Sequence, residues 1–213
     1  MYYIKTRMYY LHAVAAFSRT SAGVKRVNVP TKLAHECLAE ELVGNADALE
    51  LLEKAKRDGD LPPSYFDHPI VQQHADDGEP VWPLALYIDG IQLQDREGVI
   101  AVFIYCVITG VRHLLGLFKK HELCRCGCRG FCSLAPLWAM AHWSLVCCAR
   151  NEWPANRHDE LLWDVFDNVR RAMAGSALGL FAALIFVKSD MGEWPNTFFF
   201  PAVNAIEHDC PLC

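Results

Sequence analysis

The chain carries no overall basic charge, no apolar run of membrane-spanning length, no glycine-rich phosphate loop and no nucleophile elbow. Each absence removes a class of function. With a net charge of −5 over 213 residues, contact with nucleic acid must rest on local patches rather than on bulk attraction. The two most apolar runs, 99–111 and 177–187, fall short of the roughly 20 residues a spanning helix needs, and the first leads directly into Arg112 and His113. Both are rich in Val, Ile and Phe, which favours buried strands, so no membrane partner is expected. The apolar piece near the start, 11–17, has no convincing cleavage signal. The ten cysteines are therefore expected as reduced thiols of an intracellular chain. Without the glycine loop or the elbow, P-loop nucleotide chemistry and serine-hydrolase chemistry lose their platforms. No internal repeat or low-complexity tract is present.

What is present is largely apolar, 53% of the residues, enough for a packed interior. The stretch 81–93, VWPLALYIDGIQL, reads as a strand buried on both faces, because its apolar residues follow one another without polar alternation. Turn chemistry at Gln94-Asp95-Arg96-Glu97-Gly98 and a break at Gly110 then delimit a second strand over 99–109 and a third over 112–118, a three-strand meander. Pro136 opens a helix over 134–149. Asp159 or Asn156 caps a further helix whose stripe is Leu161, Leu162, Val165, Phe166, Val169 and Met173. A strand over 181–187, reached through this helical connection, most simply pairs parallel with an earlier one. Ahead of the core, Leu33, Cys37, Leu38 and Leu42, then Leu49 and Leu52, recur at helical spacing and give a helical hairpin entered at Pro30-Thr31, with Thr31 as N-cap. The expected architecture is α/β: an α-helical N-terminal arm and linker over 1–80, then a mixed-sheet core over 81–213 with a Cys-rich insertion at 119–133.

Two groups of residues have the composition of metal sites. Asp89 lies inside the first apolar run, where an ionised carboxylate is costly unless it finds a cation, N–H donors or a wet strand end. Asp190, in Lys188-Ser189-Asp190, is its candidate partner. On parallel neighbouring strands, both would open into the crevice at the strands' C-terminal ends, and two hard oxygen ligands suit Mg2+ or Mn2+ and phosphodiester chemistry. Asp89-Gly90 between apolar residues is also a hairpin-turn signal, and Asp190 alone is also a strand-end or helix-start residue. The second group is Cys124, Cys126, Cys128 and Cys132, four thiols within nine residues, spaced by Gly127 and Gly130. They fit a structural Zn2+ knuckle or, without metal, a Cys-rich loop. Lys119, Lys120, Arg125 and Arg129 make this the most basic region, in contact with phosphate or simply solvated. Cys210 and Cys213, with His208, are half of a second zinc site. Trp138, Trp143, Trp153, Trp163 and His142 are expected in the interior, and Asp159 of Arg157-His158-Asp159 at a helix start.

The order strand with Asp, two strands, helical connection, strand with Asp resembles the ribonuclease-H-like fold. The stretch Lys188-Ser189-Asp190-Met191-Gly192-Glu193-Trp194-Pro195, followed by Asp209-Cys210-Pro211-Leu212-Cys213, resembles the corresponding part of CACTA-type cut-and-paste transposases, in which a strand with Asp-Gly precedes a strand with Asp and a Cys-Pro-x-Cys element follows. The resemblance spans residues 81–213. It implies metal-dependent DNA strand cleavage and transfer, with Asp89 and Asp190 as catalytic residues and the first two members of an Asp-Asp-Glu triad. It also implies DNA as partner, the nucleus as location and a homo-oligomer as candidate assembly. The third carboxylate of that family lies further downstream than Cys213, and Glu193 reads as structural, so the expectation is a fragment or domesticated remnant. The competing expectation is a non-catalytic, zinc-stabilised interaction module in which both Asp are structural.

Overall fold

The computed structural model describes residues 10–18, 23–94, 97–128 and 130–189. The chain opens with an antiparallel strand pair, β1 (Tyr10–Ser18) and β2 (Gly23–Thr31). Val27 and Val29 of β2, two residues apart and so on one face, pack against the core. Thr31 is fully buried and its hydroxyl donates to the Tyr10 carbonyl at 2.8 Å. Because that hydroxyl closes the hairpin, it does not cap a helix: α1 (Ala34–Leu42) begins at Leu33 with no side-chain cap. In α2 (Ala46–Asp58) the cap is Asn45, whose side chain accepts from the Ala48 N–H, and Gly59 ends the helix at φ 76°. Two short helices, α3 (Pro63–Phe66) and α4 (Pro69–Gln73), each place Pro where a first-turn N–H has no partner in any case.

A mixed sheet follows. β3 (Val81–Gln94), β4 (Glu97–Cys106) and β5 (Arg112–Lys119) form an antiparallel meander. A 20-residue helix, α5 (Phe131–Arg150), and the short α6 (Asn168–Met173) lead to β6 (Phe181–Ser189), which lies parallel to β3. The strand order is β5-β4-β3-β6. Pro83 is tolerated in a central strand because the β3–β4 register begins one residue later, at Leu84↔Cys106. Trp82, Leu84, Leu86 and Ile88 of β3 share one core with Ile100, Val102, Ile104 and Cys106 of β4, Leu134, Leu137 and Met140 of α5, and Leu38 and Leu42 of α1. The period of two assigns the intervening Tyr87, Asp89, Phe103 and Tyr105 to the other face. α5 is long and apolar enough to cross a membrane by length and composition, yet its Leu134, Leu137, Met140 and Cys148 are buried in this core.

Polar ties pin the layers. Glu41 of α1 accepts from the Thr109 hydroxyl and pairs with His113 Nε2, holding the helix to the β4–β5 turn. Arg170 pairs with Glu36 of α1 at 2.6 Å and with Asp167 at 2.6 Å, while its guanidinium lies over the rings of Tyr10 and Trp163. Asn151 closes α5 at φ 54°, and its Oδ1 accepts from the N–H groups of Gly179 and Leu180 at 2.6 and 3.1 Å. Alanine there would lose both bonds and the residue type that tolerates the left-handed region. Asn151→Ala is expected to cost about 1–3 kcal/mol in a denaturant titration, with Asn151→Gly recovering the backbone part only. Equal midpoints for all three proteins would show that the tie is idle.

Three expectations are corrected. The helical arm expected over 1–80 begins instead as a strand pair, and its helices share the core with the sheet. The helix expected from Asp159 is confined to Asn168–Met173. Its stripe has no apolar face to meet: Leu161, Leu162, Val165 and Phe166 are 60–79% exposed. Trp163 alone is buried, with Nε1 donating to the Pro154 carbonyl at 2.9 Å; Asp159 starts no helix and pairs with Arg157. His142 is exposed on α5 rather than interior.

Candidate metal centre

β5 runs into a single 3-10 turn, Lys120–Glu122, and the chain then folds back on itself before α5. Two glycines permit the fold-back, Gly127 at φ 96° and Gly130 at φ 92°. At Gly130 a Cβ would meet Leu123 Cδ1 at 3.1 Å, so the left-handed backbone and the close approach both require glycine. The loop is stitched to the helix start: the Cys124 N–H donates to Ser133 Oγ at 2.8 Å, and the Phe131 N–H to the Cys128 carbonyl at 2.9 Å.

This brings Cys124, Cys126, Cys128 and Cys132 together with all four Sγ atoms within 4.8 Å of one another. Cys126 and Cys132 Sγ are 3.8 Å apart. A tetrahedron of sulfurs around zinc, at Zn–S of about 2.3 Å, has edges of about 3.8 Å. The four thiols are free, so no disulfide competes for them in this state. They are placed to hold a metal ion such as zinc.

The electrostatics of the loop favour a thiolate at one position. The Cys132 N–H, in the first turn of α5, donates to Cys128 Sγ at 3.5 Å. That bond outweighs desolvation and, with further thiol hydrogen bonds from Cys126 and Cys132, holds Cys128 down at about 6. The hydrogen bond to Cys128 raises Cys132 to about 12, with a second from Cys126. Cys124 is held down by the Cys126 backbone N–H, but burial and hydrogen bonds to Cys126 and Cys128 outweigh this and push it up. One member of the set is thus already anionic at neutral pH, and two keep their protons until a metal displaces them. Of the neighbouring basic residues, Arg125 is exposed; Arg129 lies outside the described residues.

Asp89 is in the interior of β3, not at a turn. It pairs with Ala101 of β4, Gly90 pairs with Ile100, and the register continues to Gln94↔Glu97. β3 continues to Gln94 and β4 begins at Glu97, so the hairpin reading of Asp89-Gly90 is overturned. β6 runs alongside as far as Ile88↔Ser189. Asp190, Glu193, His208, Cys210 and Cys213 lie outside the described residues. Among the described residues, the one group of three or more potential ligands is the cysteine cluster.

One polar site has no local signature in the sequence. His35 of α1 is 1% exposed. Its backbone N–H donates to Ser144 Oγ at 3.0 Å, its Nδ1 is 2.7 Å from the same oxygen, and the edges of Trp143 and Trp153 close around the ring. Burial lowers it to about 3, with a smaller push from Arg170. The Ser144 partner is 109 residues away, beyond the reach of local spacing. No family model, curated protein or solved structure matches this chain.

Proposed function

We propose that this chain is a ribonuclease-H-like core of transposase descent, in which Asp89 holds a divalent cation for DNA strand cleavage and transfer and the cysteine centre braces the sheet-to-helix connection with zinc. The observation that carries the reading is the position of Asp89 within β3, paired with antiparallel β4 and one residue past the last pair with a parallel β6 that is reached through a helical crossover. A carboxylate at that position on the outer face of a central strand has no turn to explain it. It offers one hard oxygen donor, which suits Mg2+ or Mn2+, since these ions take one or two carboxylates and fill their shell with water and substrate phosphate. Such an ion would supply charge stabilisation to phosphate oxygens; Asp190 is the proposed second ligand.

Mn2+ titration followed by electron paramagnetic resonance tests the reading. Asp89→Asn is expected to weaken Mn2+ binding at least about tenfold while changing stability by less than about 0.5 kcal/mol, as for a surface substitution. A variant that binds Mn2+ as well as the parent, or that unfolds, would make Asp89 structural. The second reading, a non-catalytic zinc-stabilised interaction module, draws on Leu161, Leu162, Val165 and Phe166, a run of exposed apolar side chains of the kind that marks interaction sites.

A further inference from the structure

The face of the sheet turned away from α1 and α5 carries rings and cations together. The register places Tyr87 of β3 opposite Phe103 of β4, with centroids 6.2 Å apart and planes tilted by 31°. Tyr105 follows two residues on, about 6.8 Å along the same strand, and pairs with Arg112 of β5. The Arg112 guanidinium lies over Tyr87 at 5.5 Å and Tyr105 at 5.9 Å. On the other flank, Lys188 of β6 pairs with Tyr87 and sits 4.8 Å over the Phe186 ring. Leu114 and Leu117 of β5 extend the apolar floor, 37% and 43% exposed.

Among the described side chains, the charge on this face opposes that of the chain. Against a net −5 overall, the described side chains of the four strands include Arg112, Lys119 and Lys188, all exposed, and a single carboxylate, Asp89. An interface meant for an apolar protein surface depletes Lys at its centre. Partly exposed rings interleaved with Arg and Lys are instead what stacks unpaired bases while meeting their phosphates. A duplex offers its phosphates but hides the faces of its bases.

We infer that this outer sheet face binds single-stranded DNA, with bases stacked on Tyr87, Phe103 and Tyr105 and phosphates met by Arg112 and Lys188, so that the strand runs along β3 toward Asp89. The inference deepens the reading above, in which Asp89 is where strand chemistry occurs, and it names an unpaired strand as substrate class.

The test is fluorescence anisotropy of the full chain with labelled oligo(dT) of about 20 nucleotides, longer than the roughly 4–16 that an OB-type stacking platform occupies, and with a duplex of the same length. Both are measured without added Mn2+ or Mg2+. Tighter binding of oligo(dT) than of duplex is expected. Phe103→Leu keeps the apolar volume and removes the π-face; Arg112→Ala removes a surface cation. Each is expected to weaken oligo(dT) binding about 5- to 100-fold with an unchanged melting temperature. Parent protein that ignores oligo(dT), variants that bind it undiminished, or a parent dimer that Phe103→Leu turns into monomer would overturn the inference, the last by showing that a second copy covers the face. Mn2+ affinity measured on the same preparations reports on Asp89 separately, so either reading can fail alone.

Discussion

Cys128→Ser is expected to abolish zinc binding and to lower the stability of the chain by about 4 kcal/mol, the stabilisation that a ligand gives when present at roughly 1,000 times its dissociation constant. That is a large part of the about 5–15 kcal/mol that holds a domain together. Cys128 is the most consequential of the four positions because it is the thiol held down at about 6 by the Cys132 N–H at the start of α5, and so the first to meet an incoming cation as a thiolate. Its loss should exceed the roughly 10–100-fold in affinity that removal of an outer-shell partner costs. The effect should spread into the fold, because the loop joins the end of β5 to the helix that lines the core. Metal content by mass spectrometry and melting before and after chelation check it. Equal zinc in parent and variant, or a chelator that leaves the melting temperature unchanged, would reduce the centre to a thiol-rich loop.

The same centre has a pH dependence whose sign follows from its thiols. Cys124 and Cys132 are pushed up and retain protons at neutral pH, so zinc must displace at least these two. Protons therefore compete with the metal, and affinity falls by about 100-fold for each pH unit lost, tenfold per displaced proton. Calorimetry at pH 7 in buffers of different ionisation enthalpy should count two or more protons released.

How much of this was legible depended on whether a residue's partner was near in sequence. The meander was readable because 81–93 and 99–109 are apolar runs punctuated by Asp95–Gly98 and Gly110, each a local signal. The cysteines were readable for the same reason, as four thiols within nine residues. Asp89-Gly90 carried a competing local signal, and the strand won because the sheet pairs Asp89 on one side while Ile88 is paired on both. The stripe Leu161–Leu162–Val165–Phe166 failed for the opposite reason: its period is helical, but Arg170, tied to Glu36, and buried Trp163 fix that segment in another path. The β1–β2 pair has only a weak signal, since 24–29 alternates Val with polar residues in part while Tyr and small residues on the first strand blur the period. His35 had no signal at all, since its environment is made by α5 and by Trp153.

His35 should make the fold acid-sensitive from about pH 6.5 downward, beginning above the range in which carboxylates titrate. Its ring is buried and neutral, with Ser144 Oγ accepting from the His35 backbone N–H and free to give its own proton to Nδ1. The folded chain therefore refuses a proton until about pH 3, whereas an unfolded histidine takes one near 6.5. Between those values the unfolded state binds more protons, so stability is full above about 6.5 and is lost as pH falls, by about 1.4 kcal/mol per unit and roughly 4–5 kcal/mol in all. His35→Gln keeps a polar side chain of similar reach and removes the titrating group. It is expected to be less stable at pH 7 by about 1–3 kcal/mol through the altered bond to Ser144, yet to lose less on acidification. The two stability curves should converge toward pH 4. Zinc release in the same window acts on both proteins and cancels in their difference, so curves that stay parallel from pH 7 to 4 would mean that His35 takes up its proton without unfolding the chain.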